Sequence, residues 1–450
     1  MLLRVLFGFL LVLVLIAGLF IAFAWRSEIA AVEPPQRASF DQALVTRGAS
    51  LAAIGDCATC HTAPEGTPYA GGFPLRTQFG TIHGTNITPD PDTGIGRWSQ
   101  AAFTRAMREG VDREGRHLYP AFPYEHFVLL GDDDIAALYA FLMTREPVRA
   151  QPPRNQLAFP LNMRMLLAGW KALYLDRTEF RADPAQNADW NRGAYLAHSL
   201  GHCGACHTPR NVLGATQKRL DFSGGDIEGW HAPPINAASR APIPWTADSL
   251  FRYLRYGVDE LHEVAAGPMA PVVHNLSAAT ESDVRAIASY IASVIGPPDV
   301  ERQTRAQRIL AAARATSESP GDEVLGQKLQ SGATAELKIQ TGALIYAGTC
   351  ALCHGSTERA PGSSSGSALH LALSTSVSLP TSGNLIRIIM QGLAPPDGEA
   401  GPFMPGFASE LTDEQIAALV TYLRASLSDR PEWPHVAREV RKARNDYARR

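Results

Sequence analysis

The chain has six cysteines, and all six fall in three copies of Cys-x-x-Cys-His: Cys57-Ala58-Thr59-Cys60-His61, Cys203-Gly204-Ala205-Cys206-His207 and Cys350-Ala351-Leu352-Cys353-His354. Two thiols three residues apart share one helical turn. Each can add to a vinyl group of one haem, and the histidine that follows turns its imidazole toward the iron. A structural zinc site would need further Cys or His in matched pairs, and a redox dithiol does not need the histidine. The motifs therefore predict three haems c, attached through Cys57, Cys60, Cys203, Cys206, Cys350 and Cys353. His61, His207 and His354 are the expected proximal ligands.

The motifs also mark a repeat, because their first cysteines stand 146 and 147 residues apart. A helical pattern precedes each one ("TRGASLAAIGDCATCHT", "NRGAYLAHSLGHCGACHT", "TGALIYAGTCALCHG"), and a second closes each unit ("GDDDIAALYAFL", "TESDVRAIASYI", "TDEQIAALVTYL"). The closing segments start with acidic or Thr/Asp/Glu turns, as helix N-termini do. Apolar residues then recur at helical spacing, as in the stripe Ile416, Leu419, Val420 and Leu423. The expected fold is all-α: three tandem cytochrome c domains at 40–147, 186–300 and 336–430, with an apolar linker at 148–185, a polar connector at 301–335 and a basic tail at 431–450, the tail expected as a solvated helix end or as a contact with lipid phosphates or a partner. The linker segment "FPLNMRMLLAGWKALYL" is apolar and helical in pattern. It is expected to pack on a haem domain or to meet the membrane surface or a partner.

From Val5 to Trp25 no residue is charged, a run of 21 that meets the ~20 residues needed to cross a bilayer. Residues 1–28 are thus expected to be a membrane anchor, with the haem domains exported to the periplasmic side of a bacterial inner membrane. The Ala22-Phe23-Ala24 sequence also fits a signal-peptidase site, so cleavage stays open. Apolar content of 45% allows proper cores, and a net charge of −3 gives no reason to expect nucleic acid.

Distal ligands are expected in the loops before the closing helices. The third loop, "GPFMPGFASELTDEQ", offers Met404; the second, "AAGPMAPVVHNLSAATESD", offers Met269, with His274 a weaker competitor. A thioether favours reduced iron and raises the potential. The first loop, "YPAFPYEHF" (119–127), has Phe122 where the methionine should be. His126, four residues on, is the expected sixth ligand there. His117 is an alternative, and a five-coordinate or otherwise ligated iron remains a third reading. Bis-histidine ligation through His61 and His126 would make this the lowest-potential haem.

The text "GGFPLRTQFGTIHGTNITPDPDTGIGRWS" (71–99), "HLYPAFPYEHF" (117–127), "NRGAYLAHSLGHCGACHTPRNVLGA" (191–215) and "FMPGFASELTDEQIAALVTYLR" (403–424) resembles the tri-haem cytochrome c subunits of membrane-bound periplasmic dehydrogenases. In the alcohol and gluconate types the first unit reads Y-P-A-M-P-Y, and this chain departs from it at Phe122. The Y-P-A-F-P-Y-x-H-F form is similar to subunits accompanying molybdenum hydroxylases that oxidise aldehydes or N-heterocycles. That resemblance implies an electron-transfer subunit with no catalytic residue of its own. It implies a molybdopterin-containing dehydrogenase subunit and a [2Fe-2S] subunit as partners, and membrane quinone or a terminal oxidase as acceptor. The same relay for a flavin- or PQQ-dependent alcohol or sugar dehydrogenase is the alternative. A haem peroxidase is a remote one, since Met269 and Met404 would close two of the irons.

Overall fold

A computed structural model describes residues 1–318, 333–354, 370–395 and 401–448. Parts of the predicted 301–335 linker, of the third domain and of the tail lie outside these residues. The chain divides into two compact units. The first is Met1–Ala205 with Asn211–Ala215 and Ala278–Thr280; the second is Cys206–Arg210, Thr216–Ser277 and Glu281–Arg450. The division runs through the second motif, between Ala205 and Cys206.

In the first unit the helix Leu2–Ala24 is long and apolar enough to cross a membrane. Arg26 ends it by donating from Nη1 to the carbonyls of Phe23 (2.7 Å) and Trp25 (2.8 Å), which a helix C-terminus otherwise leaves unpaired. The opening helix Gln42–Ile54 starts at Asp41, whose carboxylate accepts from the Ala43 and Leu44 amides (2.8 and 3.0 Å). Its buried face, Val45, Gly48, Leu51 and Ala52, packs on the closing helix Asp132–Met143, where Ile135, Leu138 and Phe141 point inward. Three aspartates fill the first turn of that helix. Asp134 among them is buried, and it is satisfied by Arg47 and by the Tyr195 hydroxyl (2.8 Å).

The two helices cross at glycine. A methyl group on Gly48 would stand 2.0 Å from the Ala137 carbonyl oxygen and 2.7 Å from Phe141 Cβ. The second unit repeats the device: Gly342, in the helix Ala333–Ile345, has no room for a methyl, which would lie 2.3 Å from the Ala418 oxygen. Its partner, Asp413–Leu427, begins with a capping box between Thr412 and Gln415. The predicted stripe Ile416, Leu419, Val420 and Leu423 is buried there against Ile386, Met390, Trp433 and Val440.

Three expectations change. First, the fold is mostly helical rather than wholly so. Pro74–Thr77 pairs antiparallel with Gly80–His83, and Gln156–Leu157 adds a third strand. Gly225–Ile227 pairs with Trp230–Ala232, and Val258–Asp259 with Glu263–Val264. Strands of two to four residues leave too little alternation to be read in advance. Second, the basic tail is not simply solvated. Val436–Tyr447 is a helix that buries Val440 and Ala443 in the second unit's core, with Arg444 held by Asp413 and by the carbonyls of Ala408 and Leu411. Third, the polar connector starts as a helix, Val300–Glu318, whose Ala306 and Ala313 pack with Ile243 and Leu373.

Candidate haem sites

Asp56, in the left-handed region (φ 51°), turns the chain out of the opening helix and into the helical turn Cys57–Cys60. The hairpin 74–83 then folds back over the motif. Gly84 is pressed so close that a methyl there would lie 1.8 Å from the Cys60 carbonyl oxygen. Two residues past the hairpin, the Thr85 carbonyl accepts from His61 Nδ1 at 2.6 Å. That carbonyl is held in place by Asn86, which is buried. Asn86 donates to the Val148 carbonyl (2.7 Å) and accepts from the Thr88 amide (2.9 Å). With Nδ1 as donor, the lone pair of His61 is on Nε2, the tautomer a metal needs. Burial, partly offset by the Thr85 bond, lowers the ring's pKa, so the imidazole is neutral.

The second site is built the same way. The hairpin 225–232 turns through Glu228 and Gly229, both at positive φ, as a two-residue turn of matched twist requires. Gly225 lies against the Cys206 carbonyl, where a methyl would stand 2.5 Å away. Pro233, one residue past the hairpin, accepts from His207 Nδ1 at 2.7 Å, and burial keeps this ring neutral too. Trp230 is buried beneath Gly267, whose missing side chain lets the loop approach the indole. Met269 follows two residues later, as the first residue of the helix Met269–Leu276; His274 is on the same helix. The Trp230 Nε1 is buried and has no hydrogen-bond partner among the described residues.

In the third site, Cys350 and Met404 pack against the same apolar core, together with Tyr346. Met404 is held by a pair of backbone hydrogen bonds with Leu393, each 2.8 Å. Gly392, at φ 72°, permits that close approach. His354 ends the helix Ala351–His354, and its carbonyl accepts from the Tyr346 hydroxyl at 3.2 Å. His370, which no sequence pattern singled out, is half-buried near His354. Burial first, then the charge of His354, lowers its pKa.

The first site's distal candidates separate. Phe122 packs edge-to-face on Phe127 (ring centroids 5.2 Å), and Phe127 stacks on His202 (5.8 Å). His126 Nδ1 is 2.9 Å from the His198 carbonyl oxygen, the same kind of contact made by His61 and His207. It puts the imidazole lone pair on Nε2. His117 is different. Its Nε2 donates to the Ala24 carbonyl (2.8 Å) and its Nδ1 accepts from Lys171 Nζ (3.0 Å), so both ring nitrogens are engaged. It ties the end of the long apolar helix to the domain. His262 is likewise structural, set between Asp259 and the Ile243 carbonyl and stacked on Trp245 at 3.6 Å.

These residues fit covalent haem. All six cysteines are unbridged, and burial pushes the Cys57 thiol up to about 12, unlike a reactive dithiol. Among the described residues no three His, Cys, Asp or Glu side chains gather as a metal-ion site. Cys57 and Cys60, Cys203 and Cys206, and Cys350 and Cys353 would hold the macrocycles. The Nε2 atoms of His61 and His207 keep the lone pair that a haem iron would take. The buried Trp230 Nε1 is a donor of the kind a haem carboxylate takes up.

Comparison with known proteins agrees. Residues 45–146 match the family described as cytochrome c, and residues 337–423 match that described as cytochrome c oxidase, cbb3-type, subunit III. The chain is 44% identical over 425 residues to a subunit of the nicotinate dehydrogenase of Pseudomonas putida. That match covers 94% of this chain but only 34% of the longer protein. It is 37% identical to the fructose dehydrogenase cytochrome subunit of Gluconobacter japonicus, over 86% of this chain and 80% of that one. With the cytochrome c subunit of the quinone alcohol dehydrogenase of Gluconobacter oxydans it shares 32% identity, over 91% and 84% respectively. The class is thus a c-type cytochrome with covalent haem. Within it, the chain belongs to the family of cytochrome c subunits of dehydrogenase complexes.

Proposed function

We propose that the chain is an electron relay with three haems c in three cytochrome domains (40–147, 186–300 and 336–430), and that it carries no substrate chemistry itself. The observation that carries this reading is that all six cysteines lie in haem-attachment motifs, with His61 and His207 already set in the ligating tautomer. Bound haem iron supplies reversible one-electron transfer. The chain's own residues set its direction. Met269 and Met404, as thioethers, favour the reduced state in the second and third sites. His126, as a second imidazole joining His61 in the first, would favour the oxidised state there, so that site would give up electrons most readily. The helix Leu2–Ala24 holds the relay at the inner membrane, with the haem domains on the periplasmic side, where membrane quinone or a terminal oxidase takes the electrons.

The proposed donor is a molybdopterin-containing subunit working with a [2Fe-2S] subunit on an aldehyde or N-heterocycle. Phe122 in place of the usual methionine supports this, as does the likeness to a nicotinate dehydrogenase subunit, whose named substrate is an N-heterocycle. A second reading is a flavin- or PQQ-dependent alcohol or sugar dehydrogenase. It draws on the fructose and alcohol dehydrogenase relatives, which this chain covers far more fully. A cofactor census decides between them. The native complex, purified through a tag on this chain, should yield three haems per chain and about one molybdenum, with extra non-haem iron. Flavin or PQQ without molybdenum would overturn the first reading in favour of the second. Two haems per chain would overturn the three-site relay.

A further inference from the structure

The linker at 159–175 has two faces. Inward, Ala168 is buried, Lys171 donates to the Glu109 and Gly110 carbonyls (2.7 and 2.6 Å), and Trp170 packs edge-on against Tyr124. Outward, Phe159 is 79% exposed, Met163 47%, Leu166 41% and Leu173 72%. Leu166 and Leu173 are seven residues apart and so share one side, opposite Ala168 and Lys171. Large apolar side chains presented together on one surface mark a partner or a membrane.

The place of this surface chooses between them. A methyl on Gly169 would lie 3.7 Å from the Phe20 ring, so the linker helix Leu167–Tyr174 rests on the long apolar helix Leu2–Ala24. Phe20 is five residues before Trp25, an exposed indole beside Arg26, the pairing that marks a headgroup level. Five residues of helix rise about 7.5 Å. The contact therefore falls at the depth of roughly 5–10 Å at which interfacial helices lie. With Lys171 turned inward, residues 154–181 still carry Arg154, Arg164, Arg177 and Arg181 against Asp176 and Glu179, a balance suited to anionic headgroups.

The geometry points to a second membrane contact: residues 159–175 lie in the plane of the bilayer interface, with Phe159, Leu166 and Leu173 among the acyl chains. The first haem domain is then fixed against the membrane at two points and cannot swing on a single tether. The inference rests on the reading of Leu2–Ala24 as a span, and its test separates the two. The full haem-loaded chain is reconstituted in phosphatidylethanolamine–phosphatidylglycerol vesicles containing a phospholipid with a photoactivatable acyl chain. After irradiation, adducts are mapped by peptide mass spectrometry. Adducts are expected in 2–24 and in 159–175, the latter at least about tenfold above the closing helix 132–143, which is largely buried in the protein. Adding Phe159→Glu, Leu166→Glu and Leu173→Glu together should abolish the second set and leave the first. Adducts confined to 2–24 would overturn the second contact, whereas adducts in neither segment would overturn the span. Loss of the 159–175 adducts in the native complex, with those in 2–24 retained, would also overturn it.

Discussion

Gly48 and Gly342 allow a test in which two physical effects have opposite signs. Each is in a helix, where alanine is better than glycine by roughly 0.5–1 kcal/mol. By propensity alone, Gly48→Ala and Gly342→Ala should stabilise. Packing says otherwise. The methyl at Gly48 would be 2.0 Å from the Ala137 oxygen, a backbone atom that no rotamer change can move, and ordinary contact begins at 3.4 Å. The opening and closing helices must therefore part by about 1.4 Å, a gap large enough to forfeit a good share of the dispersion between their facing side chains. Overpacking of this kind costs about 1–3 kcal/mol, and with a backbone atom as the obstacle the upper half of that range applies, so the net effect after the propensity gain is a loss of about 1–2.5 kcal/mol. For a segment of about 100 residues that lowers Tm by roughly 4–8 °C per kcal/mol. Differential scanning calorimetry of the full chain is the assay. Gly342→Ala, with its clash at 2.3 Å against Ala418, is the parallel case in the other unit. The two variants should move different parts of the melting profile. Melting at or above the parent in either variant would refute the reasoning, because propensity would then outweigh a crossing with room for the methyl.

Three further outcomes are expected. His126→Ala should change the spin state of one haem and raise its potential, with the others untouched; an unchanged visible spectrum would remove His126 from the iron. Met404→Leu should lower the potential of a single haem in a redox titration, and loss of every haem signal would mean a folding defect instead. The third concerns Glu263, which is half-buried and accepts from the Ser376 amide (2.8 Å) and the Ser374 and Ser376 hydroxyls. Burial raises its pKa to about 7, above the usual carboxylate value, with those bonds offsetting only part. A raised folded pKa means that the folded state binds the extra proton. Its stabilisation is therefore present below about pH 4.5 and lost as pH rises through about 7, by about 3 kcal/mol in all. Glu263→Gln should flatten that slope in chemical denaturation series run between about pH 4.5 and about pH 8.

What the sequence made legible and what it hid differ in kind. Motif spacing singled out the candidate attachment cysteines, and the stripe Ile416, Leu419, Val420 and Leu423 announced a buried helix face, because each is written in side chains at a fixed period. The closing helices start where their acidic or Thr-led turns said they would. By contrast, the groups that orient His61 and His207 are the backbone carbonyls of Thr85 and Pro233, and a carbonyl has no signature of its own. The available signal was indirect: Gly84 and Gly225, conformationally costly residues kept where the chain must lie almost on top of a motif. The tail misled through its charge. Its Lys and Arg content drew the reading toward solvent, while Val436, Val440 and Ala443, at i, i+4 and i+7, were the helix face that docks. His117 shows the remaining limit. By type and position it could have been a ligand. Its two nitrogens are instead taken by Lys171, 54 residues on, and by Ala24, 93 residues back, and no local pattern encodes a partnership across that distance. The same three residues join the apolar helix, the linker and the first haem domain into one block. Under the proposed relay, that block would hold the first site at a constant distance from the membrane.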